Sequence, residues 1–132
     1  MTTAGRELTY RFDNGAPADG FFYRLQHAFG IPCPYILFEC KNYTEDVANP
    51  ELDQMTGRFS PNKGKFGVIV CRSIEDEALF LQRCADSCKA QRGLVVPFTD
   101  DDVIRILEER KLGAAHYEDE ILSNKAREVM NL

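Results

Sequence analysis

The sequence has no apolar run long enough to cross a membrane. A spanning helix needs about 20 consecutive apolar residues, and every apolar stretch in the chain is much shorter. The first residues also lack the basic and then apolar pattern of a secretory signal. These absences exclude an integral membrane protein and predict a cytoplasmic location with no membrane partner.

The sequence also lacks any Cys-x-x-C pair, and its 5 cysteines are an odd number. A disulfide scaffold is therefore not expected, and a reducing compartment fits best. Cys84 and Cys88 lie four residues apart on a predicted helix, but the two further ligands of a structural zinc site are missing.

Positive charge is not in excess, because 16 Lys and Arg stand against 21 Asp and Glu, for a net charge of −5. This balance argues against a protein that coats nucleic acid by bulk electrostatics, but it leaves room for a local basic cleft. The 132 residues, 44% of them hydrophobic, predict one globular domain spanning residues 1–132.

Four common functional motifs are absent. The chain contains neither G-x-G-x-x-G nor G-x-x-x-x-G-K-[ST], which removes the usual sequence support for a nucleotide-binding α/β fold. It also contains neither G-x-S-x-G nor H-E-x-x-H, which removes the common hydrolase elbow and the zincin helix.

What is present is an alternation of strand and helix patterns. The predicted strands are Glu7–Phe12, Tyr35–Cys40, Phe66–Cys71 and Leu94–Phe98. The predicted helices are Phe21–Phe29, Pro50–Gly57, one opened by Ser73 and ended by Gly93, one capped by Thr99 and running to Gly113, and a last one after it. This order predicts an α/β fold, a three-layer sandwich with a central mixed β-sheet.

Helical spacing also predicts which residues face the core. On the helix opened by Ser73 they are Ile74, Ala78, Leu81, Ala85 and Cys88. On the next helix they are Val103, Ile106 and Leu107, and on the last they are Ile121, Leu122, Ala126 and Val129.

The most informative stretch is the end of the predicted strand YILFEC, where the sequence continues E-C-K. Strand residues two apart share a face, so Glu39 and Lys41 are expected on one side and Cys40 in the core on the other. A carboxylate so placed can hold Mg²⁺, with the Cys40 backbone carbonyl as a further ligand. The lysine can orient the attacking water. The alternative is a surface salt bridge at a strand end.

The stretch FECKNYTEDVANPELDQMTGRFSPNKGKFGVIVCRS, a buried strand ending in E-x-K, then an N-P-E-capped helix and a second buried strand, resembles the PD-(D/E)XK superfamily. In particular, it resembles the restriction-endonuclease-type domains found in bacterial proteins of unassigned biological role. The resemblance implies a restriction-endonuclease-like core and a divalent-metal-dependent nuclease that hydrolyses DNA phosphodiester bonds, in restriction or phage defence. Mg²⁺ or Mn²⁺ is the implied cofactor.

The resemblance also implies roles for individual residues. Glu39 would bind the metal, Lys41 would be catalytic, and Gln54 would lie near the active site. The first acid of the family, normally an Asp on the preceding strand, would be Glu7, which departs from the family in being a Glu. Asp13 is the competing residue, with a role in forming the turn before Asn14 and Gly15 as its own alternative. The helix and strand that begin the family core are not found before Glu7, so a fragment of a longer protein is the alternative to a complete domain.

Four basic residues, Arg58, Lys63, Lys65 and Arg72, are expected around the end of the E-x-K strand as a phosphate-binding cleft, with a solvated loop as the alternative. Phe59 is expected to pack under their loop, with base stacking as the alternative. DNA is thus the predicted partner, and two-strand cleavage would require a second copy or an additional domain. Two alternatives stay open: a catalytically inactive module that binds nucleic acid or a protein, and a nuclease of the same fold acting on branched DNA or RNA.

Overall fold

A computed structural model describes residues 6–11, 20–41, 49–113 and 117–132, with backbone only at 6–11, 41, 49 and 50. The strands are β1 (Arg6–Arg11), β2 (Tyr35–Lys41), β3 (Phe66–Cys71) and β4 (Leu94–Thr99). The helices are α1 (Phe21–His27), α2 (Asn49–Gly57), α3 (Glu77–Lys89), α4 (Asp100–Lys111) and α5 (Tyr117–Met130). The α/β class and the order of elements are confirmed.

The four strands form one mixed sheet in the order β1-β2-β3-β4. β1 is antiparallel to β2, whereas β2, β3 and β4 run parallel. β3 lies between two parallel neighbours, and its apolar sequence FGVIVC is buried along almost its whole length. A strand covered on both faces requires such a continuous apolar run. β4 ends the strand order and carries a fully buried proline, Pro97.

The helices pack unevenly around this sheet. α3 and α5 contact each other and β4, while α4 contacts both β4 and α5. α2 buries Leu52 and Met55, and Met55 lies against β3 at Gly67, where a Cβ atom would come within 2.5 Å of its sulfur. Gly67 therefore allows α2 to pack closely on the sheet.

The first helix is shorter than predicted. α1 ends at His27, and Phe29, predicted as the last residue of this helix, is 52% exposed. The chain turns through Gly30 at φ +67°, and the N–H of Ile31 donates to the Leu25 carbonyl at 3.0 Å. A glycine with positive φ shortly after the last turn is a common helix stop. The helix thus ends two residues earlier than the apolar pattern suggests.

The start of α3 was also predicted wrongly. Asp76, not Ser73, is the N-cap, and its carboxylate accepts from the Leu79 N–H at 3.0 Å. The helix consequently begins about one turn later. The buried residues of α3 are Phe80, Leu81, Cys84, Ala85 and Ser87. Of the predicted inner face, Leu81 and Ala85 are confirmed, Cys88 is half-buried, Ala78 is exposed and Ile74 precedes the helix.

The last two helices differ in burial. The four predicted core residues of α5, Ile121, Leu122, Ala126 and Val129, are all buried. α4 buries none of its residues fully, and Leu107, predicted to face inward, is 57% exposed. Thr99 caps α4 as predicted, with Asp102 as the reciprocal partner of a capping box.

Candidate functional site

The centre of the candidate site is Glu39, a charged residue that is only 5% exposed as a whole. Glu39 lies near the end of β2 and is paired in register with Ile69 of β3. Residues paired in this way share a face of the sheet, and so do residues two apart. Glu39 is therefore on the same face as Gly67, the face that α2 covers.

Arg58 is a cationic neighbour of this carboxylate. Its Nη1 atom lies 3.8 Å from Oε2 of Glu39, and the two side chains are 42% and 7% exposed. Arg58 follows α2 directly, and its N–H donates to the Met55 carbonyl, which folds the chain back over the sheet. At 3.8 Å the two groups attract each other beyond hydrogen-bond distance. Arg58 thus offsets the charge of Glu39 without forming a close bidentate pair.

The strand register shows where the backbone of Glu7, a candidate for the first metal-binding acid, lies relative to Glu39. Glu7 pairs with Glu39 across the antiparallel β1–β2 ladder. The Cα atoms of such directly opposed residues are about 4.5–5.5 Å apart. The backbone thus brings residue 7 to the level of Glu39. Asp13, the alternative, lies outside the described residues.

The predicted catalytic lysine is described only through its backbone. Lys41 is the last residue of β2 and pairs with Cys71, the last residue of β3. Its side chain lies outside the description. The structure thus places Lys41 two residues beyond Glu39 on the same strand and does not describe what its amino group contacts.

The prediction that the Cys40 side chain faces the core is wrong, because Cys40 is exposed. Alternation along β2 places it on the face opposite Glu39. On that face α1 packs at the start of β3, where the Phe21 and Phe66 rings lie 5.5 Å apart, and α5 packs on β4. The exposure of Cys40 shows that the described elements on this face leave the end of β2 uncovered. The role proposed for the Cys40 carbonyl is unaffected, since it does not depend on the side chain.

The four basic residues do not form one cluster. The backbone carbonyl of Lys63 accepts from the Tyr35 N–H at 3.1 Å. Lys63 therefore lies at the start of β2, at the opposite end of the strand from Lys41. Lys65 directly precedes β3 and likewise lies at that end. Arg72 directly follows β3, and its carbonyl accepts from the Asp100 N–H at 3.4 Å. Arg58 lies between the two ends, beside Glu39.

Gln54 is not brought to Glu39 by the described contacts. It is exposed on α2, on the side away from the buried residues Leu52 and Met55. Phe59 instead packs inward, as predicted, and a Cβ atom at Gly93 would overlap its ring.

A cavity of about 510 Å³ opens beside Arg58, and we call it the Arg58 cavity. It is lined by Tyr35, Leu37, Arg58, Phe59, Asn62, Lys63, Gly64 and Phe66. Tyr35 and Asn62 were not among the predicted site residues. Their position is set by the contact of the Ser60–Lys65 loop with the start of β2, and local sequence patterns carry no signal for such a contact.

Metal-ligating groups are sparse in the described part of the chain. Among those residues, no three His, Cys, Asp or Glu side chains converge into a group able to hold a metal ion. The two predicted first acids are not tested by this finding, because the side chain of Glu7 and all of Asp13 lie outside the described set. Glu39 remains the one predicted metal-binding carboxylate that the structure describes.

Cys33 and Cys84 are two of the described buried cysteines, and burial changes the acidity of their thiols. Burial raises the pKa of Cys33 to about 11, with the side chain of Gln26 partly opposing the shift. Burial raises the pKa of Cys84 to about 12, and the neighbouring Cys88 adds to the shift. These thiols are therefore poor nucleophiles at neutral pH.

None of the described helices has the length and apolar character needed to cross a bilayer. Comparison with known proteins found no matching family model, and neither a curated protein nor a solved structure is significantly similar to the chain.

Proposed function

We propose that the chain is a divalent-metal-dependent nuclease that hydrolyses DNA phosphodiester bonds, built on a three-layer restriction-endonuclease-like core. The observation that carries the proposal is the nearly complete burial of the Glu39 carboxylate at the end of a central strand. Burying a carboxylate costs several kcal/mol unless other groups compensate it. We infer that a carboxylate kept inside an E-x-K sequence, at a position where packing alone favours an apolar residue, serves chemistry at the strand end.

The residues fit a hard divalent cation in part. Glu39 supplies one buried carboxylate, and the β1–β2 register brings residue 7 to its level. Mg²⁺ binds through one or two carboxylates and keeps several waters. Glu39, together with Glu7 or Asp13 and the carbonyl of Cys40, would hold the ion. When bound, Mg²⁺ or Mn²⁺ would polarise the scissile phosphate and lower the pKa of a bound water.

The side chains of this protein have separate tasks in the proposed reaction. Lys41 would orient the attacking water and offset charge that develops on the phosphate. Arg58 attracts Glu39 in the structure and would bind a phosphate oxygen once a substrate is present. Arg72, at the same end of the sheet as Lys41, would hold a neighbouring phosphate.

A second candidate function is a nucleic-acid-binding module without catalysis. The Arg58–Glu39 ion pair favours it, because a guanidinium already offsets the carboxylate charge that a metal ion would require. In that case Glu39 positions Arg58, and Arg58 binds phosphate. The two functions differ in whether any bond is cleaved.

The test is nicking of supercoiled plasmid with Mg²⁺ or Mn²⁺, compared with EDTA. Glu39→Gln and Lys41→Ala are compared with Asp53→Asn and Lys89→Ala. Asp53 is a matched control, since it is also paired with an arginine, Arg92 at 3.2 Å, but is exposed on α2. We expect nicking that EDTA, Glu39→Gln and Lys41→Ala abolish and that both controls retain. Absence of cleavage by the unmodified protein, of the plasmid and of a single-stranded DNA alike, contradicts the nuclease and leaves the binding module.

A further inference from the structure

The Arg58 cavity combines an apolar wall with a basic rim. Leu37, Tyr35 and Phe59 line it together with the basic residues Arg58 and Lys63. Its volume of about 510 Å³ falls in the range of small-ligand pockets, which are mostly apolar with a few polar groups that fix orientation. A ligand that matches this lining has a flat apolar part and a negative charge.

The wall of the cavity is fixed by backbone hydrogen bonds. Ser60 and Gly64 exchange reciprocal N–H to carbonyl bonds of 3.1 and 2.7 Å, and the Ser60 hydroxyl accepts from the Lys63 N–H at 3.1 Å. The backbone N–H of Lys65 donates to the Pro32 carbonyl at 2.7 Å. The loop that presents Lys63 is thus already ordered by its own contacts, so little conformational entropy is lost when a ligand binds.

The cavity is connected to the candidate catalytic carboxylate through Arg58. Arg58 lines the cavity, and its Nη1 atom lies 3.8 Å from Oε2 of Glu39. A phosphate bound at Arg58 would therefore place the attached base towards the aromatic wall and the phosphodiester towards Glu39.

We propose that the Arg58 cavity binds one unstacked nucleotide of a single-stranded nucleic acid. Arg58 and Lys63 hold its phosphate, and its base lies against Tyr35. A base inside a duplex is covered on both faces and cannot enter such a cavity, whereas single-strand binding proteins combine a basic groove with aromatic platforms. The proposal rests on the proposed function for its class of ligand and adds a preference for single strands.

The experiment measures binding in EDTA, so that cleavage plays no part. Fluorescence anisotropy compares a labelled single strand of about 12 nucleotides, its blunt duplex and an abasic strand with the same phosphates. An RNA strand of the same sequence shows whether DNA or RNA is preferred. Binding of either strand more tightly than the duplex and the abasic strand supports the proposal. We expect the single strand to bind at least about tenfold more tightly than the duplex and the abasic strand.

Two variants assign binding to the cavity. Lys63→Glu is compared with Lys111→Glu, because both residues are exposed and the charge change is identical. We expect Lys63→Glu to weaken single-strand binding about tenfold and Lys111→Glu less than about twofold. Tyr35→Leu, which keeps an apolar residue on β2, should remove most of the difference between the base-bearing and the abasic strand.

Three results overturn the proposal: equal affinity for duplex and single strand, equal affinity for the abasic strand, or equal effects of Lys63→Glu and Lys111→Glu. These results are independent of plasmid nicking. Site-specific single-strand binding, with neither the plasmid nor the single strand cleaved in Mg²⁺ or Mn²⁺, refutes the proposed nuclease and keeps the cavity assignment. Nicking that depends on Glu39, without a preference for single strands, keeps the nuclease and refutes the cavity assignment.

Discussion

β2 and β3 are parallel neighbours with largely apolar sequences, YILFECK and FGVIVC, and they contrast sharply at the pair formed by Glu39 and Ile69. At that position β3 carries Ile69, which is fully buried, and β2 carries Glu39, which is nearly as buried but ionisable. The isoleucine contributes stability through burial of apolar surface. The carboxylate contributes none of that and carries a desolvation cost.

The contrast between Glu39 and Ile69 separates two requirements on the sequence of the sheet: a packed core and a polar group at the end of a strand. β3 is buried because the domain requires a core, and its residues can be explained by packing alone. The end of β2 cannot be explained in this way, because packing alone favours an apolar residue at position 39. We therefore expect substitutions at the two paired positions to affect different properties.

The largest effect on stability is expected at Ile69. Ile69→Ala should lower the free energy of unfolding by about 2–5 kcal/mol, since it leaves a cavity in a tightly packed core. Glu39→Gln should change it by less than about 1 kcal/mol, because removal of the charge also removes its desolvation cost. Urea unfolding followed by circular dichroism measures both. Equal destabilisation by the two substitutions would show that Glu39 is a structural residue like its neighbour.

The next largest effect is expected at Gly64, which fixes the start of β2. Its φ is +117°, and a Cβ atom there would lie 2.7 Å from the Tyr35 carbonyl oxygen. Gly64→Ala should cost about 2–4 kcal/mol from crowding and backbone strain together. Gly113→Ala is the matched control, with φ +89° but open space around the Cβ position, and should cost about 1 kcal/mol. Thermal unfolding distinguishes the two, and similar losses would remove crowding as the cause.

A smaller effect is expected at Asp102, a carboxylate close to the end of β4. It accepts from the Thr99 N–H at 2.8 Å and lies 2.9 Å from the Lys125 ammonium. Asp102→Ala should cost about 1–2 kcal/mol through loss of the helix cap and the ion pair. Plasmid nicking should stay unchanged, in contrast to Glu39→Gln. The control is Asp101→Ala on the exposed side of α4, which should stay within about 0.5 kcal/mol.

The smallest effect at neutral pH concerns the buried thiols of Cys33 and Cys84. Their pKa values are raised from 9.0 to about 11 and about 12 in the folded protein. Above pH 9.0 the unfolded chain therefore loses thiol protons that the folded chain keeps, and stability falls as pH rises. Cys84 contributes at most about 1.4 kcal/mol per pH unit. Urea titrations at increasing pH should show this decline, and Cys33→Ala with Cys84→Ala should flatten it.

Local pattern was sufficient to predict most of the fold. β3 was predicted with its observed bounds, and all four core residues of α5 were predicted, because one apolar period dominates each segment. The start of α3 was predicted wrongly, since Ser73 and Asp76 are both residue types that cap helices well. The choice between them depends on what the helix packs against. The inward orientation of Cys40 failed for a similar reason: alternation gives the face of a residue but not what covers that face.

The candidate site was predictable only in part. The E-x-K sequence identified Glu39, and the structure shows its burial. The Arg58 ion pair could not be foreseen, because the two residues belong to different elements that meet only when α2 packs on the sheet. The same holds for the division of the basic residues between two ends of the sheet, which follows from the parallel direction of β2 and β3.

Pro97 has a consequence for how the protein behaves in concentrated solution. β4 lies at an edge of the sheet and contacts three helices. A proline has no backbone N–H, so a foreign strand added at this edge cannot form an uninterrupted hydrogen-bond ladder. Exposed strand edges are the usual starting points of aggregation, and prolines are one of the devices that suppress it. Amyloid-like growth of this sheet should therefore begin at β1, the opposite edge, when it occurs at all.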